Sequence, residues 1–220
     1  MAEGGAEGGV PDAALLAPLT EDSFLHNLHV RYKRDAIYTY AGAALVSVNP
    51  CRALPLYSAE LARAYAARGA HALPPHVYGV LAAAVRRARE RRAPHAVLVT
   101  GESGAGKTEA ARVCLQAAVL QAGAPRAAAP AALPAAGTLL EAFGNAATPR
   151  NHNASRFGKL LELELDFKGE LVGGHVTHCE YRPLLAADGP RSRRRQPLCS
   201  TDLLRVDPAR GAASRSAPPT

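Results

Sequence analysis

Gly101-Glu102-Ser103-Gly104-Ala105-Gly106-Lys107-Thr108 restricts this chain more than any other stretch. Two glycines five positions apart, followed by Lys-Thr, fit the pattern of a loop whose backbone N–H groups wrap phosphate oxygens. Glycine lets the chain turn tightly there. The spacing predicts a buried strand over Ala96–Val99 and a helix over Thr108–Leu120, whose N-terminus aims free N–H groups and the positive dipole end at the ligand. In that setting Lys107 reaches the terminal phosphates and the Thr108 hydroxyl holds magnesium. An ordinary strand-to-helix turn would leave the Lys after the second glycine unexplained.

The 220 residues suffice for one domain with a real core. No apolar run is long enough to cross a bilayer, and Met1–Val10 has no basic segment leading into a hydrophobic one; a cytoplasmic protein is expected. Cys51, Cys114, Cys179 and Cys199 lack metal-ligand spacing and read as reduced, structurally minor thiols. The net charge of +7 divides unevenly: from Arg182 onward eight Arg and three Asp give +5, leaving +2 for the rest. The basicity belongs to the C-terminal stretch, and no nucleic-acid partner is expected.

Along the chain, residues 1–10 read as disordered. Thr20 caps a helix with Phe24, Leu25, Leu28 and Tyr32 on one face. Ile37–Tyr40 and Ala44–Val48 form a hairpin around Gly42. Ser58 starts a short helix ending near Gly69. After Pro74-Pro75 a longer helix buries Val77, Leu81, Ala84, Val85 and Ala88. Gly123–Gly137, rich in Ala, Pro and Gly, reads as a surface loop, followed by a helix from Thr138 broken at Gly144-Asn145. Leu161, Leu163 and Leu165 alternate with Glu162 and Glu164, a half-wet strand that turns at Phe167–Glu170 and returns through His178. His175 and His178 read as strand histidines facing opposite sides, not as metal ligands. Residues 182–220, basic and rich in Pro and Arg, read as a disordered tail whose densest apolar stretch is Leu203-Leu204-Arg205-Val206. The order of elements implies an α/β fold, a mixed sheet of the phosphate-loop NTPase type flanked by helices.

A second constellation, Asn151-His152-Asn153-Ala154-Ser155-Arg156-Phe157-Gly158-Lys159, precedes the second hairpin. It resembles the switch I loop N-x-N-S-S-R-F-G-K of myosin motor heads, and Gly101–Glu109 is similar to their GESGAGKTE. Leu140–Ala146 resembles LEAFGNA, Ile37–Tyr40 resembles IYTY, and Val46–Pro50 resembles VSVNP. These matches cover about residues 10 to 178 in the family's order. Asp166–Gly169 and Val172–His175 look most like class I unconventional myosins. Residues 11–181 are thus expected to be a partial myosin motor domain.

The resemblance implies roles. Asn49 and Tyr57 match the loop that contacts adenine, with Cys51 where an aromatic usually stands. Gly101, Glu102, Ser103, Gly104, Ala105, Gly106 and Lys107 would bind phosphates, as would Asn151 and Asn153. Thr108 and Ser155 would hold Mg2+, with Lys107, Ser155 and Arg156 acting in ATP hydrolysis. Ala154 replaces a serine that would face the γ-phosphate, which bears on hydrolysis more than on binding. The implied partner is the actin filament; light chains are not supported by this stretch.

The family's D-I-x-G-F-E switch II, whose acid pairs with the switch I arginine, is absent from the 220 residues, and after His178 the sequence departs from the family. This reads as an incomplete head joined to unrelated sequence. Without the switch II strand, Ala96–Thr100 would expose a ladder edge inside the sheet. A few unpaired groups at ~1–3 kcal/mol each rival a domain's ~5–15 kcal/mol, so a marginal or aggregating product is expected. Three readings stand open: a motor's nucleotide half, an inert ATP-binding module, and a non-functional truncation product.

Overall fold

The computed structural model describes residues 8–69, 72–121, 128–148, 151–181 and 202–208. They fall into two compact units, Met1–Ala83 and Ala84–Thr220.

In the first unit, α1 (Glu21–Tyr32) starts at a reciprocal cap: Thr20 Oγ1 accepts from Ser23 N, and Ser23 Oγ accepts from Thr20 N at 2.9 Å. Its buried face differs from the expected apolar one. Leu25 and Tyr32 are exposed, whereas Asn27 and Arg31, one turn apart, are buried. Both have hydrogen-bond partners. Asn27 takes the Val10 N–H at 2.7 Å and donates to the Val10 carbonyl at 3.1 Å. Arg31 donates to Thr39 Oγ1 and the Tyr38 carbonyl at 2.9 and 2.7 Å. Burial pushes its pKa down from the ordinary arginine value. Val10 is therefore pinned although residues 1–10 read as disordered; residues 1–7 lie outside the described residues.

The expected hairpin forms as β1 (Tyr38–Ala41) and β2 (Ala44–Ser47), antiparallel, with Gly42 at φ 61° in the turn. α2 (Ala59–Arg68) lies between the Ser58 cap and Gly69. Its Tyr65 packs with Tyr38, Tyr57 and Tyr78 around His76, whose ring lies 4.4–5.7 Å from theirs. α3 (Val77–Arg91) buries the five residues expected of it and carries the chain into the second unit.

The second unit is built on a four-stranded sheet in the order β3-β8-β6-β7. β3 (His95–Val99) enters the glycine-rich loop, and α4 (Lys107–Gln121) leaves it. α5 (Ala128–Gly144) begins ten residues earlier than Thr138, inside the stretch expected to be a loop; 122–127 lie outside the described residues. Alanine, the strongest helix former, dominates that first half. Pro130 sits in the first turn, where its missing N–H is harmless. α5 ends at Gly144, where only glycine fits, since an added Cβ would sit 2.2 Å from the Phe157 ring. β4 (Asn145–Thr148) and β5 (Asn151–Ser155) then form a two-stranded ribbon, which periodicity did not reveal.

β6 (Phe157–Leu165) and β7 (Leu171–Tyr181) are the expected hairpin, with Leu161, Leu163 and Leu165 buried. Its turn is closed by Asp166 Oδ1, which accepts from Lys168 N and Glu170 N. His175 lies across the ladder from Glu162, 3.3 Å from its carboxylate and 3.2 Å from that of Glu164. Among the described residues no His, Cys, Asp or Glu cluster could hold a metal.

β8 (Asp202–Asp207) corrects two expectations. Part of the supposedly disordered tail is a strand, and it fills the ladder edge expected to stand open. It runs antiparallel to β3 and parallel to β6. Leu204 and Val206 are buried, facing the same side as Val97, Leu161 and Leu163. The tail's one dense apolar stretch is thus part of this strand; residues 182–201 and 209–220 lie outside the described residues.

Candidate functional site

The sequence from β3 through α4 positions one wall of a cleft of about 290 Å3, close to the lower end of small-molecule sites. Gly104 and Gly106, at φ 85° and 89°, adopt left-handed conformations that a Cβ would strain. They bring the loop over the start of α4, where Ala110 N bonds Gly106 O at 2.9 Å. Lys107 is buried; its Nζ donates to the carbonyls of Gly101 and Glu102 at 2.8 and 2.7 Å. Two of the three ammonium donors thereby tie the helix start to the loop entry.

β5 forms the other wall. Asn151, Asn153 and Ser155, two residues apart, all line the cleft, as side chains on one strand face must. Ala154 is buried on the opposite face and does not line it. The missing hydroxyl at 154 therefore changes the packed side of the strand in this arrangement. Two contacts join the walls: Thr108 Oγ1 and Ser155 Oγ lie 3.0 Å apart, and Asn151 Nδ2 approaches Ser103 Oγ at 3.4 Å. Asn145 Nδ2 donates to Asn153 Oδ1 at 2.7 Å, and Asn151 Oδ1 accepts from Asn153 N at 3.1 Å. The amides are thus oriented by their neighbours.

Of the residues singled out from sequence, Ser103, Gly104, Gly106, Lys107, Thr108, Asn151, Asn153 and Ser155 share the cleft. Gly101, Glu102 and Ala105 shape the loop: Gly101 and Glu102 hold Lys107, and Ala105 N bonds Glu102 O at 3.1 Å. Arg156 is not on the lining. Its backbone N–H bonds Gly144 O at 2.9 Å, and its buried Nε has no hydrogen-bond partner among the described residues. Asn49 and Tyr57 belong to the first unit. Asn49 Oδ1 accepts from Cys51 N at 2.9 Å, and the Tyr57 hydroxyl pairs with that of Tyr38 at 2.8 Å.

Glu109, Arg112 and Glu141 also line the cleft and escaped the sequence reading. Arg112 was discoverable: it stands one helical turn after Thr108, on the same face. Its guanidinium is held by Glu109, with Nε 2.9 Å from Oε2. Glu141 comes from α5, and no local pattern connects that helix to the loop.

Hydroxyls, amides and Lys107 at a helix N-terminus suit an anionic ligand, while Arg112 is paired with Glu109 and Glu141 adds a carboxylate to the lining. The fold defines the class this far: an α/β unit whose strand–loop–helix passage faces a polar strand across a cleft. A family description for the myosin head (motor domain) matches residues 10–181. Unconventional myosin-Ib of Homo sapiens is 42% identical over 188 residues, covering 84% of this chain and 16% of that protein. Unconventional myosin-Ig of Mus musculus is 46% identical over 178 residues, 79% of this chain and 17% of that protein. For unconventional myosin-Ia of Bos taurus the figures are 44% over 172 residues, 77% and 16%. The chain belongs to the myosin head family, as a partial motor domain similar to class I unconventional myosins. It spans less than a fifth of the length of these relatives.

Proposed function

We propose that the cleft binds ATP with Mg2+ and that this chain is the nucleotide-binding part of an actin-based motor. The observation that carries the reading is the 3.0 Å separation of Thr108 Oγ1 and Ser155 Oγ. Neighbouring ligands of an octahedral magnesium at about 2.1 Å lie about 3.0 Å apart, so this hydroxyl pair fits the ion. Bound there, the ion would neutralise charge on the phosphate oxygens. Around it, Ser103, Asn151 and Asn153 orient phosphate oxygens, the loop amides cradle them, and Lys107 exchanges its two loop carbonyls for phosphate. The family membership supports partnership with actin filaments and a cytoplasmic, actin-associated placement as part of this proposal. No helix among the described residues is long and apolar enough to cross a membrane.

Binding without turnover is favoured as the second reading by one feature. Arg156, the arginine that the family pairs with a switch II acid, keeps a buried Nε with no partner among the described residues. Calorimetry of the full chain with Mg2+ and a slowly hydrolysed ATP analogue tests the binding. Saturable heat that Lys107→Ala abolishes is expected; no heat from folded protein refutes the reading. Phosphate release with ATP, with and without actin filaments, separates a motor fragment from a binding module.

A further inference from the structure

The two walls of the cleft descend from strands that do not pair with each other. β3 runs into the glycine-rich loop, β6 follows the cleft strand β5, and β8 lies between β3 and β6. β8 lies beyond residues 10–181, so a segment outside the family match joins two strands within it. It is bonded on both edges, from His95↔Val206 to Val99↔Asp202 on β3 and from Lys159↔Asp202 to Glu164↔Asp207 on β6. Its side chains suit the slot. Leu204 and Val206 are 3% and 0% exposed on the packed face. Arg205, on the other face, donates to Glu162 of β6 at 3.2 Å and to Asp207 at 3.1 Å. Opposite charges across a ladder fix register, because a one-residue slip would exchange the apolar and charged faces.

We propose that residues 202–207 are a strand donor acting within the chain, and that this strand positions the glycine-rich loop for its ligand. With β8 seated, the end of β3 at Val99 is held in register against Lys159 of β6 through the shared partner Asp202. With β8 withdrawn, β3 and β6 lose their common neighbour, and the Thr108 and Ser155 walls lose their fixed spacing. The slot recognises an extended segment alternating between apolar residues and a cation, which main-chain bonds hold as an added strand. This inference rests on the reading of the cleft as a nucleotide site.

Leu98 and Leu203 are partners across β3 and β8, and Leu98 is exposed, so the pair suits cysteine trapping. In full-length Leu98→Cys/Leu203→Cys, mild oxidation followed by peptide mass mapping is expected to give a link within one chain. The oxidised protein should bind the magnesium–ATP analogue at least as tightly as the wild type. Val206→Asp should weaken that binding at least tenfold while the near-ultraviolet tyrosine signal of the first unit persists. No link, a link only between two molecules, or unchanged binding in Val206→Asp overturns the proposal. Absence of heat from the wild type instead refutes the nucleotide reading, while the cysteine link still reports whether β8 occupies its slot.

Discussion

Acidification should unfasten the first unit at one imidazole. His76 is 5% exposed and ringed by four tyrosines. Its Nδ1 accepts from Tyr78 N at 3.1 Å, and its Nε2 stands 3.2 Å from the Leu56 carbonyl. A carbonyl can only accept, so the ring is neutral with its proton on Nε2. Protonating Nδ1 would set two donors against each other in a buried site. Burial pushes the pKa down to about 4, outweighing the Leu56 contact that acts to raise it; the ordinary value is 6.5. Between those values the unfolded chain binds a proton that the folded one refuses, so stability rises with pH. The contribution is complete above about pH 6.5 and is lost as pH falls toward 4. At about 1.4 kcal/mol per pH unit, that gap is worth about 3 kcal/mol. Urea unfolding followed by near-ultraviolet circular dichroism reads this directly, because the chain has no Trp and six of its seven Tyr precede residue 84. Between pH 7 and pH 4.5 the wild type should lose about 2–3 kcal/mol more than His76→Gln, which cannot titrate. Equal losses in the two proteins, or a His76 imidazole resonance titrating near 6.5, would refute the reasoning.

Two further expectations concern packing and chemistry. Gly144→Ala puts a methyl 2.2–2.4 Å from the Phe157 ring and should cost about 1–3 kcal/mol in urea unfolding; an unchanged midpoint would mean that α5 does not press on β6 there. Burial pushes the Cys114 thiol up to about 12, whereas Cys51 is exposed. A thiol reagent at pH 8 should therefore label Cys51 within minutes and spare Cys114 until urea is added, with modification mapped by mass spectrometry.

The loop and its flanking elements were legible because glycine spacing, the following Lys-Thr and helical periodicity are local signals. So was the spacing of Asn151, Asn153 and Ser155, although only the strand geometry of β5 shows why they act together and why Ala154 stands apart. What sequence hid was tertiary. The buried side of α1 is polar because Asn27 and Arg31 meet backbone groups of Val10 and Tyr38, partners that no helical wheel displays. Pro and Gly near α5 suggested a loop, yet the alanines between them form helix. β8 was hidden most deeply: six residues in a basic, proline-rich context gain strand structure only from the two neighbours between which they lie.

The β3–β8 pairing also dictates an order of events. Leu98 meets a residue 105 positions later in the chain, whereas the β1–β2 hairpin closes within ten. Loops of that length close slowly, and the contacts that reward closure come last. During synthesis the first unit can acquire its fold while the ribosome is still translating the second. The sheet beneath the glycine-rich loop must wait for residues 202–207 to emerge, so any pause before that point leaves β3 and β6 exposed to chaperones, proteases or other nascent chains.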